Sequence, residues 1–188
     1  KVLEVLREPL ESKQVTLARA AYQVTYPAHF QWVAAMNPCA CGYATSQKQP
    51  CRCSPAALIR YQQKLSGPLL DRIDMIVEVS DLPVSDLLSA DPTPLSTEQA
   101  RLEVVRAWEI QKIRQHGKLN AGLLPKEVER FCALTPEAKG FLERAMEKLN
   151  ISARGYHRLL KLARTVADRA GEDTMTVAHL TQALAWRR

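Results

Sequence analysis

The chain opens with Val2, Leu3, Leu6 and Leu10 at helical spacing. Pro9, which disrupts a helix interior, predicts that this helix ends close by. Residues 15–19 and 22–26 alternate apolar and polar positions across a short connection, the pattern of a β-hairpin. Phe30 to Met36 is an apolar run of strand length, as expected of a buried parallel strand. Ala56 to Leu65 reads as a short helix, Met75 to Val79 as the next buried strand, and Leu82-Pro83 as its close. Asp91-Pro92-Thr93-Pro94 predicts a rigid linker, because proline restricts both itself and the residue before it. The domain boundary is placed there.

Beyond it the signals are helical. Ser96 with Gln99 fits a capping box, and Gly117 fits the stop. Pro125 opens a short helix toward Ala133. Thr135-Pro136 caps a helix that runs to about Leu149. Ser152 caps another that ends before Gly171, and Thr174 or Thr176 starts the last. On the helix after Ser152, Leu159, Leu162, Ala163, Val166 and Ala170 fall on one side. Arg154, Arg158, Lys161 and Arg164 fall on the other. The fold class is therefore an α/β part with buried strands and a hairpin, followed by an all-α bundle, and it is mainly helical overall.

With 188 residues, 46% hydrophobic and 24% charged, the composition is that of an ordinary globular chain of one or two domains. No apolar run approaches the ~20 residues needed to span a bilayer, so no membrane partner is expected and the expected location is the cytoplasm. The net charge of +6 is uneven. Residues 1–100 hold 9 Lys and Arg against 10 Asp and Glu; residues 101–188 hold 17 against 10. A basic second half suits polyanions, nucleotide phosphate or nucleic acid, and equally a solvated Arg-rich surface. Phe30, Trp32 and Trp108 read as buried, which argues against a surface that stacks single-stranded bases.

Of five cysteines, Cys132 stands in an apolar stretch and reads as a small core residue. The other four form Cys39-x-Cys41 and, nine residues on, Cys51-x-Cys53. Four thiolates on one loop suit tetrahedral zinc, and a closed four-sulfur shell makes such a metal structural. Gly42 and Pro50 permit the turns such a loop needs. The one-residue spacing is tighter than the usual two to four, so four reduced thiols or a labile disulfide stay open as alternatives.

Arg72 sits between Asp71 and Asp74, at the mouth of the apolar run from Met75. It is either a surface arginine paired to one of those acids or a charged fork aimed at phosphate. Arg154 falls in the first turn of its helix, where a cation opposes the dipole and wants an anion nearby, or an ordinary surface ion pair. Asn37 falls where the first apolar run ends, either starting a turn before Pro38 or facing a ligand at the carboxyl end of a strand.

Three segments, Phe30 to Tyr43, Leu65 to Asp74 and Ile151 to Arg164, together resemble the magnesium-chelatase-like branch of the AAA+ ATPases and, within it, a competence-associated bacterial group. The specific stretch reads AAMNPC-C-G followed by LSGPLLDRID. The resemblance implies that residues 1–90 are the C-terminal part of an AAA+ core and 91–188 its helical lid. It makes the hairpin a pre-sensor insertion. It implies Arg72 as an arginine finger acting in trans, Asn37 as sensor 1 and Arg154 as sensor 2, the last two touching the γ-phosphate. The implied cofactors are ATP and Mg²⁺ in the parent protein. The implied assembly is a homo-oligomeric ring, expected to be a hexamer, that moves DNA by branch migration or helicase action. No Gly-x-x-x-x-Gly-Lys-Ser/Thr loop occurs here, nor an apolar strand ending in paired acids. The chain is thus expected to be a C-terminal fragment, inactive alone. A chelatase-type metal-insertion motor and a non-enzymatic module that binds zinc and nucleic acid are the alternatives.

Overall fold

The computed structural model describes residues 2–46, 48–79 and 95–187. The predicted linker at 91–94 and the close at Leu82-Pro83 lie outside the described residues. Among the described residues two compact units appear: residues 2–46 and 48–73 with 78–79, and residues 74–77 with 95–187.

The first unit begins with a 3₁₀ turn, Val2–Leu6, that runs into α1 (Arg7–Ser12). The helix passes through Pro9 instead of ending there. Pro9 stands in the first turn, where its missing N–H would have had no intrahelical partner. Lys13, left-handed at φ 58°, ends α1 by donating its N–H to the Pro9 carbonyl. The hairpin forms as the alternation predicts, with β1 (Gln14–Arg19) antiparallel to β2 (Tyr22–Pro27). Its register places Val15 opposite Tyr26, Leu17 opposite Val24 and Arg19 opposite Tyr22, so one face is apolar and aromatic. The other face is polar, and the Thr16 and Thr25 hydroxyls meet at 3.1 Å. Every residue of both strands is exposed.

The two buried strands do not form. Residues 28–37 and 75–79 carry no regular structure, and Phe30, Val33, Met36, Met75, Val77 and Val79 are exposed. A parallel strand needs hydrogen-bonding neighbours, and among the described residues the only sheet is the hairpin. After the cysteine loop come α2 (Pro55–Gln62), capped by Ser54, and α3 (Gly67–Leu70), capped by Ser66. Among the described residues this unit buries only Pro9, Cys39 and Leu69.

The second unit is a bundle of α4 (Thr97–Arg114), α5 (Pro125–Phe131), α6 (Pro136–Leu149), α7 (Ala153–Ala170) and α8 (Val177–Ala185). Its caps match the sequence. Ser96 and Gln99 exchange side-chain-to-backbone bonds at the start of α4. Thr135 and Ser152 accept from the Ala138 and Gly155 N–H groups. Gly171, at φ 74°, closes α7. Leu123, Val128, Cys132, Ala138, Leu142, Leu159, Leu160, Ala163, Ala167, Met175, Leu180 and Ala183 form one core. Leu160, which the helical pattern left unassigned, is as buried as Leu159, whereas Ala170 is exposed.

Arg164, placed by the pattern on the side opposite the apolar residues, is nevertheless part of the interior. It is fully buried, its Nε donating to Asp168 at 3.0 Å and its Nη1 to the Asp173 carbonyl at 2.5 Å. Asp168 lies one turn further along α7 and makes this burial tolerable. Arg114 donates to both oxygens of Asp168, and Asn120 adds a third donor at 2.8 Å. Trp108, read as buried, is 46% exposed on α4. That helix buries only Ala107 and Gln111, so its other side is open.

Candidate functional site

The cysteine loop is the most defined cluster. The tetrapeptide Cys39-Ala40-Cys41-Gly42 turns sharply, with Gly42 at φ 87° donating its N–H to the Cys39 carbonyl. A side chain at that φ would be strained, so the turn selects glycine. The Cys39 and Cys41 sulfurs are 3.3 Å apart, Cys39 and Cys51 3.7 Å, and Cys41 and Cys51 3.6 Å. All four sulfurs, that of Cys53 included, lie within 4.8 Å of one another. A disulfide would need about 2.05 Å, and all four cysteines are free thiols. Sulfurs at ~2.3 Å from a tetrahedral metal stand ~3.8 Å apart, so the spacing fits a four-sulfur metal shell. The one-residue spacing within each pair is therefore no obstacle.

Backbone N–H groups also point to the sulfurs. Those of Tyr43 and Arg52 bring the Cys41 thiol down to about 6. Cys51 receives the Cys53 N–H, yet burial and the neighbouring sulfurs push it up to about 12. Four thiols packed this closely cannot all ionise without a cation among them. These residues can hold a metal ion.

Asn37 precedes this loop by one proline. It is exposed and ends the extended stretch rather than a buried strand. Its backbone carbonyl accepts a 3.0 Å bond from the Tyr61 hydroxyl on α2. Arg72 follows α3 directly, and its side chain is only 10% exposed. Its Nε donates to the Arg7 carbonyl at 3.0 Å and its Nη1 to the Pro68 carbonyl at 2.6 Å, while Nη2 pairs with Glu11. Glu11 is one side-chain partner of Arg72. Glu11, from α1, was not singled out by sequence reading, since nothing local links residues 61 apart. An open depression of about 620 Å³ surrounds this pair, lined also by Glu4, Arg7 and Glu8.

Asp74 pairs with Arg158 of α7 at 2.6 Å, and the Ile76 N–H donates to the Trp186 carbonyl at 2.8 Å. Arg154 occupies the first turn of α7 and is exposed, as its position predicted. Gly155, next to it, is required by space: a Cβ there would come within 2.9 Å of the Ile151 side chain. Asn37 and Arg72 belong to the first unit and Arg154 to the second. No helix among the described residues is long and apolar enough to cross a membrane.

Comparison with known proteins supplies the frame for these residues. Residues 1–87 match the family described as magnesium chelatase, subunit ChlI, and residues 94–187 match magnesium chelatase, subunit ChlI C-terminal. The competence protein ComM of Haemophilus influenzae is 44% identical over 187 residues, covering 100% of this chain and 36% of the relative. The uncharacterized protein YifB of Escherichia coli is 40% identical over the same share of each chain. An uncharacterized protein of Mycobacterium tuberculosis is 36% identical, covering 99% of this chain and 37% of the relative. The chain spans a little over a third of the length of these relatives. With a family match on each half, this chain belongs to the magnesium chelatase ChlI-like family and is of the ComM/YifB type.

Proposed function

We propose that this chain is the sensing and lid portion of an ATP-driven AAA+ ring that acts on DNA. Residues 1–90 contribute the C-terminal part of the core and 91–188 the lid. The observation that carries this reading is the likeness to a competence protein along the whole chain. Within the ring, a hexamer in the cytoplasm, Arg72 reaches a neighbouring subunit's ATP as the arginine finger. Asn37 and Arg154 sense the γ-phosphate of the subunit's own nucleotide. Mg²⁺ accompanies ATP and neutralises charge on its phosphates. Arg154 suits its part because an exposed cation at a helix N-terminus is stabilised by an anion placed there. For Arg72, phosphate replaces Glu11 as the partner of the guanidinium fork.

The four-cysteine cluster holds a structural zinc ion. The sulfur geometry supports this, since all four sulfurs lie within 4.8 Å of one another, close enough to share one ion. DNA contact is supported by the hairpin. Its apolar and aromatic face presents Tyr22 and Tyr26 beside Arg19, the stacking and charge that single strands need. Phe30 and Trp108 are exposed as well, which removes the objection that the aromatics are buried.

The test is ATP turnover by a full-length protein carrying this sequence, with and without branched DNA. DNA-stimulated turnover that falls roughly 10³- to 10⁵-fold in Arg72→Ala, with nucleotide binding retained, is the expected result. Near-normal turnover in that variant overturns the finger assignment. Turnover indifferent to DNA moves the reading to a chelatase-type motor. No turnover at all leaves a binding module.

A further inference from the structure

We propose that the metal-loaded cysteine cluster is the device that holds Asn37 in place, and that Tyr61 is the positioning residue that completes the hold. Asn37 is joined to the cluster from two directions. Along the chain, Pro38, whose ring fixes its own φ, separates it from Cys39, a fully buried ligand. Through space, Cys53 is followed by Ser54, which caps α2, and α2 carries Tyr61. The Tyr61 hydroxyl then reaches back 24 residues to the Asn37 carbonyl at 3.0 Å. Lys64 stands 4.9 Å from the centre of the Tyr61 ring and helps to set it. The Asn37 Nδ2 lies 3.9 Å from the point that a Cβ on Gly42 would occupy, so its carboxamide rests beside the turn between two ligands.

A closed circuit results: Asn37, Cys39, the metal, Cys53, α2, Tyr61 and back to Asn37. The metal replaces the weak thiol contacts among Cys39, Cys41 and Cys51, 3.3–3.7 Å long, with bonds that tie all four sulfurs together. Without the metal, the circuit is closed by weak thiol contacts. With it, the backbone is held at both ends, and the side chain is presented in one orientation. The consequence for ATP hydrolysis rests on the sensing role of Asn37 proposed above; the positioning itself does not.

Asparagine occurs only at 37, 120 and 150, which makes the experiment direct. Asn120 is buried in the helical unit on Asp168 and Thr165 and serves as an internal reference. The 188-residue chain is labelled with ¹⁵N at asparagine, and the Asn37 amide pair is assigned by its loss in Asn37→Asp. Removing zinc with a chelator is expected to move the Asn37 pair to the position of a free amide and leave Asn120 unmoved. Tyr61→Phe, which keeps the ring, is expected to move the Asn37 pair with zinc still at one equivalent. An Asn37 pair unmoved by both treatments overturns the positioning role. Absence of zinc from the untreated chain overturns the metal site itself. In the full-length protein, Tyr61→Phe is expected to lower kcat roughly five-fold, about the worth of one hydrogen bond, with KM for ATP unchanged. If turnover is absent in the wild type while the amide shifts occur, the sensing role fails and the positioning stands.

Discussion

Asp168 carries more of the helical unit than its single charge suggests. It faces Arg164, Arg114 and Asn120, and it is 1% exposed. Two arginines share one carboxylate, so removing that charge takes the anion from the buried Arg164 and the partly buried Arg114. Asp168→Asn is expected to cost about 3–5 kcal/mol, read from urea unfolding followed by circular dichroism. A loss below about 1 kcal/mol would mean that water reaches the cluster. Cys132, in the neighbouring core, gives a pH dependence of defined sign. Burial pushes its thiol up to about 11. Above the ordinary thiol value the unfolded chain loses its proton first, so stability falls with rising pH until the native thiol ionises as well. The expected slope is about 1.4 kcal/mol per pH unit over that window. Comparing melting at pH 8.5 and 10.5 in the wild type and Cys132→Ala isolates it; equal losses in both would refute it. Cys132 was legible as a core residue because its neighbours in sequence are apolar. The burial of Arg164 was not, because it depends on Arg114 and Asn120 arriving from elsewhere in the chain. The Glu11 partner of Arg72 was hidden for the same reason.

Among the elements, the hairpin and the helix caps could be read from the sequence, since their determinants are local. Ser152, Gly171, Thr135 with Pro136, and Ser96 with Gln99 each act within four residues of the helix end that they set. The strands expected at 30–36 and 75–79 failed because a strand is a property of a pair. Apolar runs define a candidate, and hydrogen-bonding neighbours decide it. The hairpin meets that need internally, yet leaves Val15, Leu17, Tyr22, Val24 and Tyr26 exposed on one face. Such a face contributes little to stability and is available for contact. Tyr22→Ala and Tyr26→Ala are each expected to weaken single-stranded DNA binding by about 1–3 kcal/mol, with the melting temperature nearly unchanged. Fluorescence anisotropy with a labelled oligonucleotide reads the first quantity and a thermal melt the second. Unchanged affinity in both variants removes the hairpin from the DNA-binding surface.

At the scale of the molecule, the two units differ in what holds them. The helical core lies wholly between residues 123 and 184, with twelve buried side chains in one cluster and further hydrophobics packed on it. It has no part in the cysteine loop. In the first unit, by contrast, Pro9, Cys39 and Leu69 are the buried residues among those described. One of the three is a candidate metal ligand. A bound metal stabilises only the state that binds it, by an amount that grows with the ratio of its concentration to its dissociation constant. Zinc removal should therefore act on one unit alone. In scanning calorimetry of the 188-residue chain, a chelator is expected to lower or abolish one transition and leave the helical transition within about a degree. Cys39→Ser is expected to reproduce the effect without chelator, since serine offers no soft sulfur to the metal and leaves a polar group in a buried position. Transitions that shift together would mean that the helical core draws on the metal. Two transitions unmoved by either treatment would mean that the thiols alone hold the loop. The sequence pattern of the cysteines was enough to nominate the cluster. What it could not supply is how closely the four sulfurs approach, which follows from the turn at Gly42 and the return of the chain at Cys51 and Cys53.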